Sequence, residues 1–168
     1  MVNIRRWLRH LSTPAWAWRR AFPQAALNAI EAAIHASETV HGGEIRFAIE
    51  NNLSPTWVWR GLSGRERAIE VFSDLRVWDT AHNNGVLIYL LLADRDIEIV
   101  ADRGIAARVG NDAWEQVAQA MEAAFRRGEF ERGALAGIAQ VSDLLASHFP
   151  PPVPNPDELA NRPAIVKR

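Results

Sequence analysis

Apolar positions along the chain fall into blocks whose period switches between helical and extended. From Pro23 onward, Leu27, Ile30 and Ile34 recur at helical spacing and predict an amphipathic helix, ended by Gly42 and Gly43. "EIRFAIE" then alternates, with Ile45, Phe47 and Ile49 against Glu44, Arg46, Ala48 and Glu50, the pattern of a strand with one buried face. Ser63 and Glu66 have the spacing of a capping box, in which hydroxyl and carboxylate each satisfy an orphan N–H. The helix they open directs Ile69, Phe72 and Leu75 inward. Val86 to Ala93 is an unbroken apolar run, as expected of a strand covered on both faces. "DRD" at 94–96 turns it back into "IEIVA", so the pair reads as a hairpin.

Asp112 and Glu115 predict a second capping box, followed by a helix with Trp114, Val117, Ala118, Met121 and Phe125 on its core face. Gly128 stops it. A last helix from about Phe130 to His148 turns Leu135, Ile138, Val141 and Leu145 inward. A crossover helix between the first two strands makes them parallel, and the hairpin makes the third antiparallel. The expected fold class is α/β: an α/β/α sandwich with a short mixed β-sheet flanked by helices on both faces. Residues 1–21 read as a basic, Trp-rich arm, 22–149 as the domain, and 150–168 as a Pro-rich, flexible tail.

Composition narrows the chemistry. A hydrophobic fraction of 48% and a net charge of −1 describe an ordinary globular domain and give no reason to expect nucleic acid as a partner. The absence of cysteine excludes disulfides and thiol nucleophiles, and the histidines fit no zinc spacing. No Walker loop, GxGxxG, GxSxG or HExxH motif is present, so no nucleotide cofactor is expected. No signal peptide is visible, and the longest apolar run is too short for a bilayer core of roughly 30 Å. The expected location is the cytoplasm, with a peripheral position on the inner membrane open to the arm. There Arg5, Arg6, Arg9, Arg19 and Arg20 are interleaved with Trp7, Trp16 and Trp18. These residues suit an anionic membrane surface or a membrane protein; the tryptophans equally suit packing back on the domain.

The topology places two polar edges in competition. One gathers His41 and Glu44, then Asp79, His82, Asn83 and Asn84, then Asp102, Arg103 and Asp112. Carboxylates and amides there suit a hard cation such as Ca²⁺ or Mg²⁺, with Asp79, Asp102 and Asp112 as metal ligands. His82, Asn83, Asn84 and Arg103 are the ligand-binding candidates beside them, Arg103 for phosphate. The opposite edge gathers Glu50, Asp94 and Asp96 at the carboxyl ends of the parallel strands, where ligands of open α/β sheets usually sit. Plainer readings stand beside these. "NNG" is turn chemistry, Asp94–Asp96 a solvated turn, Asp112 a helix cap, and Glu44, Arg46 and Glu98 cross-strand charge pairs. No residue stands out as a catalytic base or nucleophile.

"NNGVLIYLLLADRDIEIVADRGI", with "NDAWEQVAQAMEAAFRRGEFERGALAGIAQVSDLL", resembles the TPM-domain family over roughly residues 25–148. The likeness rests on Asn84 and Gly85 opening an apolar strand, Asp94 and Arg95 in the hairpin turn, Asp112 opening a helix, and Phe125 with Gly128 at a helix end. Where that family usually has Gly-Tyr-Gly, this chain has Asp102-Arg103-Gly104. The resemblance implies the same α/β/α sandwich. It also implies a contested function, since such domains have been described both as acid phosphatases and as metal-binding, non-enzymatic domains. Two expectations follow. The first is a non-enzymatic binding domain, divalent-cation-dependent and associated with a membrane protein or surface. The alternative is a metal-assisted phosphatase acting on phosphate monoesters.

Overall fold

The computed structural model describes residues 4–152 and 155–167, so residues 1–3, 153–154 and 168 of the expected arm and tail lie outside the described residues. Helices α1 (Ile4–Ser12) and α2 (Ala17–Ala21) lead into α3 (Gln24–Ser37) and strand β1 (Glu44–Glu50). Helices α4 (Pro55–Trp59) and α5 (Gly64–Asp74) carry the chain over to β2 (Gly85–Leu91), which turns back as β3 (Asp96–Ala101). Helices α6 (Arg103–Ala106), α7 (Asn111–Arg126) and α8 (Phe130–His148) follow, then β4 (Ala164–Val166).

The sheet order is β3-β2-β1-β4, with β1 parallel to β2 and β4, and β3 antiparallel to β2. One face carries Ile45, Phe47, Ile49, Val86, Ile88 and Leu90 against α3, α7 and α8. The other carries Ala48, Leu87, Tyr89 and Leu91 against Val58 of α4 and Ala68 and Val71 of α5. The α/β/α sandwich is therefore the observed architecture. Strand β1 is covered on both faces rather than one, because α4 and α5 close over Ala48 and Glu50.

Local details depart from the pattern. The Ser63–Glu66 capping box is present and Phe72 and Leu75 pack on the core as expected, but α5 also buries Arg67, Ala68 and Val71 and leaves Ile69 half exposed. Helix α7 is capped by Gly110 in extended conformation with no side-chain bond, so Asp112 stands exposed within the first turn rather than at the cap. Glu44, Arg46 and Glu98 are not cross-strand pairs. Arg46 donates to the Ala160 and Arg162 carbonyls, and Glu98 pairs with Arg65 at 3.5 Å.

The described parts of both terminal segments are drawn into the domain. Trp7 packs on the core beneath α4 and α5, and Trp18 on the core beneath α3, α7 and α8. His10 is fully buried in α1; its Nδ1 accepts the Leu53 N–H at 2.9 Å, so its Nε2–H donates to Asp94 at 3.1 Å. Arg6 and Arg9 bond the same carboxylate. Burial would raise Asp94, but the hydrogen bonds from His10 and Arg6, with the Arg6 charge, outweigh it and hold the carboxyl at about 2. The hairpin turn is thus the anchor of α1, not a solvated loop. The expected flexible tail instead supplies β4, whose three residues pair with Ala48, Ile49 and Glu50.

Candidate functional site at the strand ends

The end of the sheet where β1 and β2 begin and β3 finishes collects unusual burial of polar groups. Glu38, His41, Glu44, Asn84 and Asp102 are all buried there. Glu38 follows the last residue of α3, and its Oε1 accepts the Ile45 N–H at 3.0 Å, tying the helix end to the strand start. The intervening "HGG" turn is closed on itself by the Gly43 N–H, which donates to His41 Nδ1 at 3.2 Å. Asn84 donates its amide to the Gly42 carbonyl. The tail segment crosses over this end: Glu44 Oε2 accepts the N–H groups of Glu158 and Leu159, each at 3.2 Å. Asn155 donates to the carbonyls of Glu38 (2.7 Å) and His41 (3.2 Å). Glu158 in turn accepts the Ala81 N–H at 2.8 Å.

Four buried side-chain atoms at this end have no hydrogen-bond partner: Glu38 Oε2, His41 Nε2, Asn84 Oδ1 and Asp102 Oδ2. Such atoms are costly unless something meets them. Carboxylate oxygens of Glu38, Glu44 and Asp157 lie within 4.8 Å of one another, the one group of three or more potential metal ligands among the described residues. Burial drives Glu38 up to about 9, with the Asp157 and Glu44 carboxylates adding to the rise. Burial also raises Glu44, against the two tail N–H bonds, and lowers the His41 imidazole. With only oxygen donors close together, the set suits a hard divalent cation rather than zinc.

The candidates read from sequence are dispersed by the fold. Asp79 is exposed and pairs with Arg76 at 3.5 Å; Asp112 is exposed; Asp102 caps α6, its Oδ1 accepting the Arg103 N–H at 2.7 Å. Their three carboxylates do not form a cluster. His82, Asn83 and Arg103 are exposed, and of that group only Asn84 is buried. Asn83 has φ 51°, the left-handed conformation the turn requires.

On the opposite edge each acid is already engaged. Glu50 is buried and accepts from Arg67 (2.8 and 3.2 Å) and from the Tyr89 hydroxyl (2.6 Å). Burial and the Glu50 charge push the Tyr89 phenol up. Asp94 anchors α1, and Asp96 sits beside α5 and α7 with its carboxyl raised by burial and by Glu122 and Asp94. Glu38 and Asp157 are the members of the acidic cluster that sequence reading missed. The only trace was a pair of glutamates bracketing "HGG" in "ETVHGGE".

Fold and strand-end chemistry together define an α/β/α sandwich domain that gathers three carboxyl groups where its C-terminal segment crosses the sheet. The sequence model of the TPM domain matches residues 20–144, and the chain belongs to the TPM-domain family. A solved relative is the BA42 protein from the psychrophilic bacterium Bizionia argentinensis, determined by NMR. It is 32% identical, covers 84% of this chain and 93% of its own, and superposes with a TM-score of 0.74. No curated protein matches the sequence. No helix among the described residues is long and apolar enough to cross a membrane. Asp157 lies beyond the matched segment, so the cluster joins the family domain to a segment outside it.

Proposed function

We propose that this chain is a non-enzymatic, divalent-cation-dependent binding module, in which a cation at Glu38, Glu44 and Asp157 holds the C-terminal segment across the strand ends. The observation that carries this reading is the buried Glu38 carboxyl, whose Oε2 meets no N–H or hydroxyl, within 4.8 Å of the Glu44 and Asp157 carboxylates. Three carboxylates brought together without a donor between them repel unless a proton or a cation intervenes. A bound cation supplies the charge that lets all three ionise. Fixing residues 155–161 also fixes β4, so occupancy would change the surface a partner meets.

Protein stripped with EDTA and then given millimolar Ca²⁺ or Mg²⁺ is expected to melt about 5–10 °C higher, the shift for roughly 2–3 kcal/mol of linked binding in a chain of this size. Glu44→Gln and Asp157→Asn abolish the shift. Glu38 must lose its proton to coordinate, so affinity rises with pH, by up to about tenfold per unit below its pKa of about 9. Saturable binding unaffected by these substitutions would place the cation elsewhere, and no shift at millimolar cation would leave the cluster sharing a proton.

A separate observation favours a membrane surface as the partner. Helix α1 exposes Ile4, Leu8 and Leu11 at i, i+4 and i+7, each at least half exposed, beside exposed Arg5. Trp16 and, on the neighbouring α4, Trp59 are exposed as well. Such a face lies in a bilayer interface with Arg5 on anionic headgroups. Co-sedimentation with vesicles containing phosphatidylglycerol is expected to exceed that with phosphatidylcholine alone by at least about tenfold, and Leu8→Glu with Leu11→Glu to remove the difference. Equal binding to both vesicles, or none, sinks this partner. The phosphatase alternative draws less support, because Asp79, Asp102 and Asp112 do not gather and Arg103 stands exposed away from any such cluster.

A further inference from the structure

The outer side of β3 has no strand beside it, since β3 ends the sheet order. Along it runs a groove of about 480 Å³ between α5 and α7. Parity along the strand is set by two side-chain bonds. The Ile97 N–H donates to Glu122 at 3.3 Å, and the Ile99 carbonyl accepts from Arg65 at 2.6 Å. Residues 97 and 99 therefore turn their backbone groups into the groove, while Asp102 continues the inward set by donating to Gly85. The Ile97 carbonyl and the Ile99 N–H are left to the groove with the geometry of an unextended ladder. Side chains that cover part of an edge while leaving the rest are a common guard against promiscuous pairing.

The lining is acidic: Asp96, Glu98, Glu115 and Glu122 outnumber Arg65, which pairs with Glu98 at 3.5 Å, and Arg126, which reaches Glu122 from α7 at 2.7 Å. Trp114, also in the lining, is buried and its indole N–H has no acceptor. An occupant must thus bring cationic side chains, a carbonyl for the indole, and backbone groups for the strand. A peptide satisfies all three at once.

We propose that the β3 edge is a docking site for an extended peptide segment rich in lysine or arginine, which adds to the sheet as a fifth strand. Backbone pairing with Ile97 and Ile99 supplies register, and the four carboxylates select basic side chains. Burial and the charge of neighbouring acids raise both Asp96 and Glu98, a repulsion that a cationic guest relieves. Glu122 swings away from the ladder position it covers to meet the guest's basic side chains, and Arg65 gives up the Ile99 carbonyl to the guest's backbone and turns to solvent.

The test uses the full chain and a fluorescein-labelled peptide alternating lysine with valine, followed by anisotropy and by amide exchange at Ile99. Saturable binding with slowed exchange at Ile99 is expected, weakened at least about tenfold in Glu98→Gln/Glu115→Gln with the melting temperature retained. The same peptide N-methylated at alternate residues should lose most of its affinity. Equal affinity of the methylated peptide would reduce the groove to a diffuse acidic patch and overturn strand addition. Exchange protection at Ile99 that grows with protein concentration, without peptide, would assign the edge to a second copy of the chain instead. An absence of saturable binding overturns the proposal outright.

Discussion

Arg67→Met is expected to destabilise the protein by about 3–5 kcal/mol, the largest loss of any conservative exchange on α5. Arg67 is a charge on a helix face that should be apolar, and it is there for Glu50. Its Nε and Nη2 bond both Glu50 oxygens, its Nη1 bonds Glu70 at 2.8 Å, and its guanidinium lies 4.8 Å from the Trp57 ring. One side chain thus joins the end of β1 to α4 and α5. Methionine fills much of the volume but leaves the Glu50 carboxylate buried with only the Tyr89 hydroxyl. The double variant Arg67→Met/Glu50→Gln removes the stranded charge and should recover about 1–3 kcal/mol of the loss. Urea denaturation of the four proteins measures the cycle. A single variant within about 1 kcal/mol of the parent would mean that the pair is not the joint described here.

This pair shows where pattern reading stops. Periodicity located α3, β1, β2 and the core face of α7 because large apolar side chains recur there at the element's own period. On α5 it placed Phe72 and Leu75 against the core but not Ile69, which faces water while the small Ala68 and Arg67 approach the sheet. A buried ion pair has no signature in a hydropathy pattern. Strand β4 was illegible for a different reason. Three residues behind a run of prolines carry no period, and their pairing is decided by β1 having an open side. The second capping box failed because Gly110 already holds the extended geometry of a cap, two positions before Asp112.

The strand-end site was half legible. Topology correctly brought His41, Glu44, Asn84 and Asp102 to one end of the sheet. It could not bring in Asp157, because a tail read as flexible contributes nothing to an edge. Nor could it rank Glu38, which follows the last residue of a helix and is buried where Asn155 of the tail bonds its carbonyl. Asp79 and Asp112 were chosen for their residue type, and the fold leaves both in solvent.

Gly85→Ala should cost about 2–3 kcal/mol and weaken the proposed cation binding with it. In "WDTAHNNG" this glycine is demanded by proximity rather than by a positive φ, because a Cβ there would overlap the Val77 carbonyl oxygen. Gly104 is held in the same way, its missing Cβ 2.6 Å from the Asn83 carbonyl oxygen and 2.9 Å from that of His82. The loop before β2 is therefore wedged between the strand start and α6. Adding one methyl group must push β2 away from residue 77, and β2 opens with Gly85 opposite Glu44. The Glu44 N–H bonds the Asn84 carbonyl at 3.0 Å, so the displacement reaches the carboxylate cluster directly. A purely local turn would respond differently: stability would fall while cation affinity, measured by calorimetry on the folded fraction, stayed at the parent value. A loss of both stability and affinity is the expected result, and it makes the turn and the site one mechanical unit.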